Sequence, residues 1–425
     1  MVKRFVHLLW IKKYSVCKTF KMVECNIKND WKLLISLLIC FASSITILIL
    51  TIVVGKTPNF DSSESKIYLI NASEESNQSL NGEENYIQEL VKIIDASIDN
   101  LEIMGRVFKF NFTLDNVYNA LERASQRKVN IRIITTTRTS NSTFINLTNV
   151  KVRYFPWVLS SMNMLSTDMI LNDNASFMIS ASIYDYSRFN KTNVLGFLFQ
   201  SSPKIREDAI RYFNVAWLSL DELDKKTLPP YTRFWKSNLH AISNIHNPII
   251  FHHENAYKVF IAQSPSEFQA PERDLTVTAT KNIIDNAKVH IFIYATVFYL
   301  ENGDFTVHNS LISAANLGIP ISILISKRSN YNSSIQQAAM IASFPNIDVR
   351  VCSDDFGVPD LLIVDETLAF VSGPVTGPLF GESLGLEVFI ENADLVNNIQ
   401  NMLRKQWDNA TLFNDSSVIN CAFNQ

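Results

Sequence analysis

The sequence predicts an α/β fold made of two similar α/β/α lobes with mixed sheets, placed behind an N-terminal transmembrane helix. Three observations predict it. The chain contains an internal repeat with a period of roughly 190 residues. Within each copy, strands alternate with amphipathic helices, a pattern typical of sheets that are covered by helices on both faces. A single uncharged apolar run lies near the N-terminus, and 425 residues leave room for two domains with cores of their own.

The repeat extends through most of two half-chains. The segment IIDASIDNLEIMGRVFKFN, which begins at Ile93, matches IIDNAKVHIFIYATVFYLE, which begins at Ile283. The segment VYNALERASQRKVNIRIITT, from Val117, matches VHNSLISAANLGIPISILIS, from Val307. Each half therefore reads as strand, helix, strand, helix, strand, a strand-turn-strand unit, strand and helix, which predicts a largely parallel or mixed sheet in each lobe.

The most informative matched stretches are Ser166 to Asp185 and Val358 to Val375. Each reads as a strand, a turn at an acidic residue, a second strand and then small residues. A second aspartate precedes the turn aspartate by five positions in both copies. The paired positions are Ser166, Asp168 and Asp173 in the first half and Val358, Asp360 and Asp365 in the second.

Two such halves resemble the phospholipase D superfamily, and they are similar to its type 3, 4 and 5 phospholipase D-like proteins, which are single-pass membrane proteins with a lumenal two-lobed domain. The family motif is H-x-K-x4-D followed by G-S/T-x-N, once in each half. In this chain LSTDMILND and MISASIYDYS stand at those positions in the first half, and VPDLLIVD and VSGPV in the second. The resemblance covers roughly Lys66 to Cys421.

The departures from the family motif predict a function without catalysis. In the family, one His attacks phosphorus, the other His is the general acid, and the Lys and Asn side chains hold the phosphate oxygens. Here the His positions hold Ser166 and Val358, the Lys positions hold Asp168 and Asp360, and the Asn positions hold Ile183 and Val375. A carboxylate about 4 Å from a phosphate charge is repelled by roughly 4 kcal/mol at an effective dielectric near 20. We therefore expect a degenerate motif and an inactive membrane glycoprotein that binds or scaffolds a partner.

The retained aspartates Asp173 and Asp365 are interpreted as turn residues, because Asp favours turns through hydrogen bonds of its own side chain. The alternative function is a working lumenal phosphodiesterase that uses displaced residues, either a 5′-exonuclease on single-stranded nucleic acid or a lipid phosphodiesterase or transphosphatidylase. Nucleic acid or phospholipid is a partner only under this alternative; otherwise the protein partner is unidentified, and the resemblance implies a homodimer.

No cofactor or metal site is predicted. His252, His253 and Glu254 form a cluster of metal-ligand types, but adjacent residues point to opposite faces of a strand and no second pair follows at zinc spacing. They are interpreted as part of a polar connection between the halves. A net charge of −3 gives no general basicity that would favour nucleic acid.

The N-terminal segment predicts a type II signal-anchor. Residues 1–32 hold eight Lys and Arg against two acidic residues, and residues 33–55 are 23 positions without a charge. At 1.5 Å per residue this run spans a bilayer core of about 30 Å, and the preceding basic residues hold the tail in the cytosol. The predicted location is the secretory and endolysosomal system, meaning the endoplasmic reticulum, Golgi or lysosome, with a lumenal C-terminal domain.

The remaining predictions concern boundaries and modifications. The predicted divisions are a cytoplasmic tail (1–32), a transmembrane anchor (33–55), a stalk (56–65), a first lobe (66–247) and a second lobe (248–425). Candidate glycosylation sites are Asn71, Asn77, Asn111, Asn141, Asn146, Asn174, Asn190, Asn332, Asn409 and Asn414. Asn174 falls at the tip of the first hairpin, where we expect a glycan to obstruct the site. Cys352 and Cys421 are a candidate disulfide that would close a loop of about 70 residues, worth up to roughly 4 kcal/mol.

Overall fold

The computed structural model describes residues 59–71, 86–105, 115–135, 144, 147–154, 167–180, 195–224, 240–251, 257–264, 272–295, 298, 306–326, 338, 340–352, 360–371 and 385–412. The chain divides into two compact units, Met1–Pro58 and Asn59–Gln425, and the second unit contains all of the described residues. In the described part of the chain no helix is long and apolar enough to cross a membrane. The predicted anchor at 33–55 lies outside the described residues.

The first half forms a seven-stranded sheet with two helices on its outer face and one on its inner face. Its strands are β2 (Lys66–Asn71), β3 (Asn100–Gly105), β4 (Asn130–Thr135), β5 (Val150–Tyr154), β6 (Asp168–Asn172), β7 (Phe177–Ser180) and β8 (Leu195–Gln200). Its helices are α1 (Tyr86–Asp95), α2 (Asp115–Gln126) and α3 (Pro203–Asp224). The strand order is β2-β8-β7-β6-β3-β4-β5, in which β3, β4 and β5 run parallel and the other neighbours antiparallel.

The second half repeats this arrangement. Its strands are β9 (Ile249–Phe251), β10 (Tyr257–Ser264), β11 (Asp274–Leu275), β12 (Ile291–Ala295), β13 (Ile321–Ser326), β14 (Ile347–Cys352), β15 (Asp360–Val364), β16 (Thr367–Val371), β17 (Gly385–Glu391) and β18 (Thr411–Leu412). Its helices are α4 (Thr276–Asp285), α5 (Thr306–Asn316) and α6 (Ala393–Asn409). The order β10-β17-β16-β15-β12-β13-β14 matches the first sheet strand for strand. The predicted internal repeat and mixed sheets are confirmed.

The core explains why the two halves stay together. Alternate residues of each strand point to opposite faces, so each sheet buries two apolar faces. The outer faces pack against α1 and α2 in the first lobe and against α4 and α5 in the second. The two inner faces, together with α3 and α6, form one continuous hydrophobic cluster. Phe199 of β8 and Phe251 of β9, for example, lie 6.2 Å apart between ring centroids across the two halves.

A short N-terminal strand adds a second connection between the lobes. Strand β1 (Asn59–Phe60) pairs in parallel with β9 of the second sheet. The following residue, Asp61, donates its backbone N–H to the Ile250 carbonyl at 2.9 Å. Its carboxylate accepts hydrogen bonds from the Ser202 hydroxyl and from the Lys204 backbone N–H, at the start of α3 in the first lobe. Part of the segment predicted as a stalk is therefore paired with the second sheet.

Candidate active site at the junction of the two lobes

The two motif hairpins place Asp168 and Asp360 at equivalent positions. Asp168 opens β6 and is paired with Ser180 of β7, and Asp360 opens β15 and is paired with Val371 of β16. Each of the two aspartates is 2% exposed. The predicted positions Ser166, Val358, Ile183 and Val375 lie outside the described residues. The repeat thus places one buried carboxyl group at the start of the equivalent central strand of each sheet.

Thr167 forms hydrogen bonds between the first-lobe motif and the second-lobe sheet. Its hydroxyl donates to the backbone carbonyl of Leu386 at 3.1 Å and accepts from the backbone N–H of the same residue at 2.9 Å. Leu386 lies at the start of β17, so the contact links residues 219 positions apart in the chain. Because Thr167 immediately precedes Asp168, the first-lobe motif is held directly against the second-lobe sheet.

The turn aspartate of the first hairpin binds the backbone of a distant loop. The Asp173 carboxylate accepts hydrogen bonds from the backbone N–H of Ile98 at 2.9 Å, of Asn100 at 2.9 Å and of Asp99. These residues lead into β3. Desolvation raises the pKa of Asp173, but these backbone donors outweigh it and hold the pKa below its usual value. The carboxylate therefore stabilises the loop that begins the central strand.

The second turn aspartate makes the same contacts in its own lobe. The Asp365 carboxylate accepts from the backbone N–H of Lys288 at 2.9 Å, of Val289 at 2.8 Å and of His290 at 3.0 Å, which lead into β12. A structural interpretation of both aspartates agrees with this geometry. The prediction that these aspartates act through hydrogen bonds within the turn is incomplete, however. The backbone donors of Asp365 belong to a loop about 75 positions earlier in the chain.

The effect of a glycan at Asn174 stays a prediction, and the structure places Asn174 away from Asp168. Asn174 is exposed at the tip of the first hairpin. Asp168 is at the other end of β6, and five strand residues separate the two ends by roughly 15 Å. A glycan on Asn174 would therefore extend from the opposite edge of the sheet. Asn409 is likewise exposed, at the end of α6.

Sequence reasoning missed a third buried carboxyl group, Glu387 of β17. The register of β16 and β17 pairs Phe370 with Val388 and, continued by one step, sets Val371 opposite Glu387. Leu362 and Phe389, two residues along from Asp360 and Glu387, pack in the same outer cluster. Because side chains alternate along a strand, Asp360 and Glu387 share that face, about two strand spacings, or ~10 Å, apart. In the sequence, Glu387 is the one acidic residue within the apolar run LEVFI, and this isolation could have indicated a buried carboxyl group.

Glu387 is held by hydroxyl groups and is strongly desolvated. Its carboxyl group accepts a hydrogen bond from Thr276, at the start of α4, and one from Ser264 at 3.4 Å. Burial raises the pKa of Glu387 to about 7, although both hydroxyl donors act to lower it. In the first lobe, the corresponding position beside Ser180 is Gly196. The second lobe alone therefore contributes, at this position, a carboxyl group that exchanges a proton near neutral pH.

The structure describes only part of the predicted disulfide and none of the His and Glu cluster. Cys352 is buried at the end of β14, whereas Cys421 lies outside the described residues, so their disulfide stays a prediction. The His252, His253 and Glu254 cluster also lies outside them. Within the described ranges, no group of three or more His, Cys, Asp or Glu is arranged to hold a metal ion.

Comparison with known proteins supports the family resemblance. No family model matches the chain. A curated relative, phospholipase D Y of Dictyostelium discoideum, is 25% identical over 346 residues, which are 69% of this chain and 76% of the relative. The crystal structure of phosphatidylserine synthase from Haemophilus influenzae superposes with a TM-score of 0.56 at 8% identity, covering 81% of this chain and 87% of that one. At that identity the second likeness shows the fold alone.

These findings overturn the prediction that the chain is not an enzyme. The relative is named for an enzymatic activity, a phospholipase D, and the fold is that of another enzyme, a phosphatidylserine synthase. The inactive interpretation depended on replaced motif positions, two of which, Ser166 and Val358, lie outside the described residues. Replacement of those residue types is therefore not sufficient to exclude catalysis. The chain is thus similar in sequence to a phospholipase D and in fold to a phosphatidylserine synthase, in agreement with the predicted resemblance to the phospholipase D superfamily.

Proposed function

We propose that the chain is a phosphodiesterase that cleaves a phospholipid at the strand ends where the first-lobe motif contacts the second-lobe sheet. The observation that carries the proposal is the pair of buried aspartates, Asp168 and Asp360, at equivalent edge positions of two sheets that Thr167 links. Displacement through a covalent intermediate needs a nucleophile and a general acid, and these strand ends supply one carboxyl group from each lobe. The substrate class comes from the relative, which is named a phospholipase D.

The proposed chemistry uses the two carboxyl groups in different protonation states. The ionised carboxylate of Asp168 attacks phosphorus, and the bond from phosphorus to the leaving oxygen breaks. The carboxylic acid of Asp360 gives its proton to that oxygen, which leaves as an alcohol. Water then attacks the resulting acyl phosphate, and the Asp360 carboxylate takes a proton from this water. The second step releases the phosphomonoester and restores both side chains.

Charge decides the conditions under which this chemistry operates. A phosphodiester is an anion, and an ionised carboxylate about 4 Å away repels it by roughly 4 kcal/mol at an effective dielectric near 20. Protonation of one of the two aspartates removes half of their combined repulsion of the phosphodiester and converts that group into a hydrogen-bond donor. In this proposal the two aspartates share one proton, because two carboxylates beside one phosphate would repel both it and each other. We therefore expect activity to rise as pH falls.

An acid-dependent activity suits an endolysosomal location. In this proposal residues 33–55 anchor the chain in the membrane as a type II protein, and residues 59–425 face the lumen with their glycans. A lumenal domain tethered to the bilayer meets a phospholipid substrate on the surface beside it. A homodimer is proposed on the family resemblance, and no cofactor is included.

The test measures turnover by the full-length chain purified in detergent. The substrates are a phospholipid labelled with ³²P in its phosphate and, separately, single-stranded DNA with a free 5′ end, from pH 4 to pH 8. Asp168→Asn and Asp360→Asn should each lower lipid turnover at least 100-fold. Asp408→Asn, at an exposed position of α6, is the matched control and should change it less than twofold.

Trapping identifies the nucleophile. Acid quenching should leave ³²P on the protein as an acyl phosphate, which hydroxylamine removes, whereas a phosphoserine at Ser166 resists hydroxylamine. Absence of turnover with both substrates, or turnover that survives both aspartate substitutions, would contradict the proposal. Turnover of DNA but not lipid, with the same dependence on both aspartates, would keep the site and replace the substrate.

A further inference from the structure

We infer that Thr167 is a positioning residue that fixes the two halves of the active site relative to each other. This inference rests on the proposed function, because it names what aligns Asp168 with the second lobe. Thr167 is fully buried, and its single hydroxyl group serves both backbone polar groups of Leu386. No other side chain type of that size both donates and accepts there, except serine.

The position of the contact determines what it controls. Thr167 is the residue before Asp168, and Leu386 is the residue before Glu387. A shift of the first motif along β17 would therefore change the distance from Asp168 to both carboxyl groups of the second lobe. Reacting groups that move by about 1 Å lose on the order of 100-fold in rate. Two hydrogen bonds to one residue restrict such a shift more than a single bond does.

The other polar contacts of the junction between described residues do not involve the motif strand of the first lobe. The buried Arg273–Asp208 pair and the bond from the Tyr212 hydroxyl to the Ser264 carbonyl at 3.3 Å are directional, but both start from α3. The apolar side chains of the shared core, such as Met169 and Leu361, resist separation of the lobes, but hydrophobic contact is not directional. The tie at β1 and Asp61 joins the lobes at another part of the second sheet, beside β9. Thr167 is the directional contact next to the motif among the interlobe hydrogen bonds of the described residues.

The experiment compares Thr167→Val, which keeps shape and removes the hydroxyl, with Thr167→Ser, which keeps the hydroxyl. Thr167→Val should lower kcat for the labelled phospholipid at least 10-fold with KM within twofold, and Thr167→Ser should stay within threefold of the original kcat. Thr280→Val is the matched control, because Thr280 is equally buried in α4 and its hydroxyl has no hydrogen-bond partner in the part of the chain that the structure describes. It should leave kcat within twofold.

Hydrogen exchange of the Leu386 amide gives a readout that needs no substrate. Exchange in the peptide containing Leu386 should become at least 10-fold faster in Thr167→Val and should be unchanged in Thr167→Ser. The inference is overturned if Leu386 exchange does not respond, or if an active enzyme keeps its kcat in Thr167→Val. It is also overturned if Thr167→Ser is as impaired as Thr167→Val. A wild-type chain without turnover on lipid and DNA would instead overturn the proposed function, and the positioning role with it.

Discussion

The buried ion pair between Arg273 and Asp208 should be the most sensitive polar contact at the lobe junction. Asp208 belongs to α3 of the first lobe, and Arg273 precedes β11 of the second. Both side chains are 0% exposed. The Asp208 carboxylate also accepts hydrogen bonds from the backbone N–H of Ile242 and of Ser243, both at 3.0 Å, and from the Ser243 hydroxyl at 2.5 Å. This carboxylate therefore connects α3, the linker and the second lobe.

The buried environment of Arg273 determines how much its removal should lower the free energy of unfolding. In Arg273→Met the methionine fills the space, but Asp208 loses its cationic partner and is left with three neutral donors in a site that is closed to solvent. Breaking a buried pair in this way costs about 3–5 kcal/mol. Burial lowers the pKa of Arg273, and the nearby Asp208 opposes this effect, which indicates how much desolvation the pair must offset. Asp208→Asn added to Arg273→Met should recover part of the loss.

The assay is urea unfolding of the full-length chain, followed by tryptophan fluorescence. Lys258→Met is the matched control, since Lys258 pairs with Glu391 at 2.6 Å while the two side chains are 46% and 48% exposed. That change should cost below about 1 kcal/mol. If Arg273→Met costs no more than Lys258→Met, the buried pair contributes little, and apolar packing alone holds the lobes together.

Three further predictions test the fold. Asp173→Asn should destabilise the chain by ~1–2 kcal/mol at pH 7 through its backbone donors. Because the folded pKa of Asp173 lies below its usual value, this stability is present above pH ~4 and is lost as pH falls through the folded pKa, so thermal melts of the variant should show less acid sensitivity. An unchanged acid profile would contradict this role. Trp217→Ala should cost about 3–5 kcal/mol in urea unfolding, and Trp407→Ala should cost less, because Trp217 is buried under Arg153 at 4.1 Å whereas Trp407 is half-buried. The reverse order would refute the packing argument. Glu387→Gln should stabilise the chain by on the order of 1–3 kcal/mol at pH 8 and not at pH 4, because a folded pKa of about 7 makes stability fall as pH rises between about 4.5 and 7. Melting curves that shift equally at both pH values would show that Glu387 is not the titrating group.

The repeat and the hairpins could be predicted from sequence because they depend on local period and turn chemistry. Strands such as DMILN and DLLIV are continuous apolar runs after one aspartate, which is the pattern of strands buried on both faces. Equal spacing from Asp168 to Asp173 and from Asp360 to Asp365 then fixes the register of both copies. The pairing of Asp168 with Ser180 and of Asp360 with Val371 follows from these turns.

The contacts that assemble the site could not be predicted, because each joins residues far apart in the chain. Thr167 has no local feature that indicates a bond to Leu386, 219 positions later. From the sequence alone, Arg273 would be expected to lie on the surface. In the structure it is fully buried against Asp208, 65 positions earlier. Glu387 interrupts an apolar strand, but only the register shows that it shares a face with Asp360.

The erroneous prediction of inactivity has a structural cause. It took the replaced positions as evidence against catalysis and interpreted the retained aspartates as turn residues. The structure separates them, because Asp173 and Asp365 bind the loops that lead into β3 and β12 and are required by the fold whatever chemistry occurs. Their survival in both copies is therefore not a remnant of catalysis. Asp168 and Asp360 are at the opposite end of their hairpins, where both are buried, and these are the two groups that the proposed reaction uses. In the proposed reaction, acids in place of lysines make the binding of a phosphodiester depend on pH, so activity should first be sought at acidic pH.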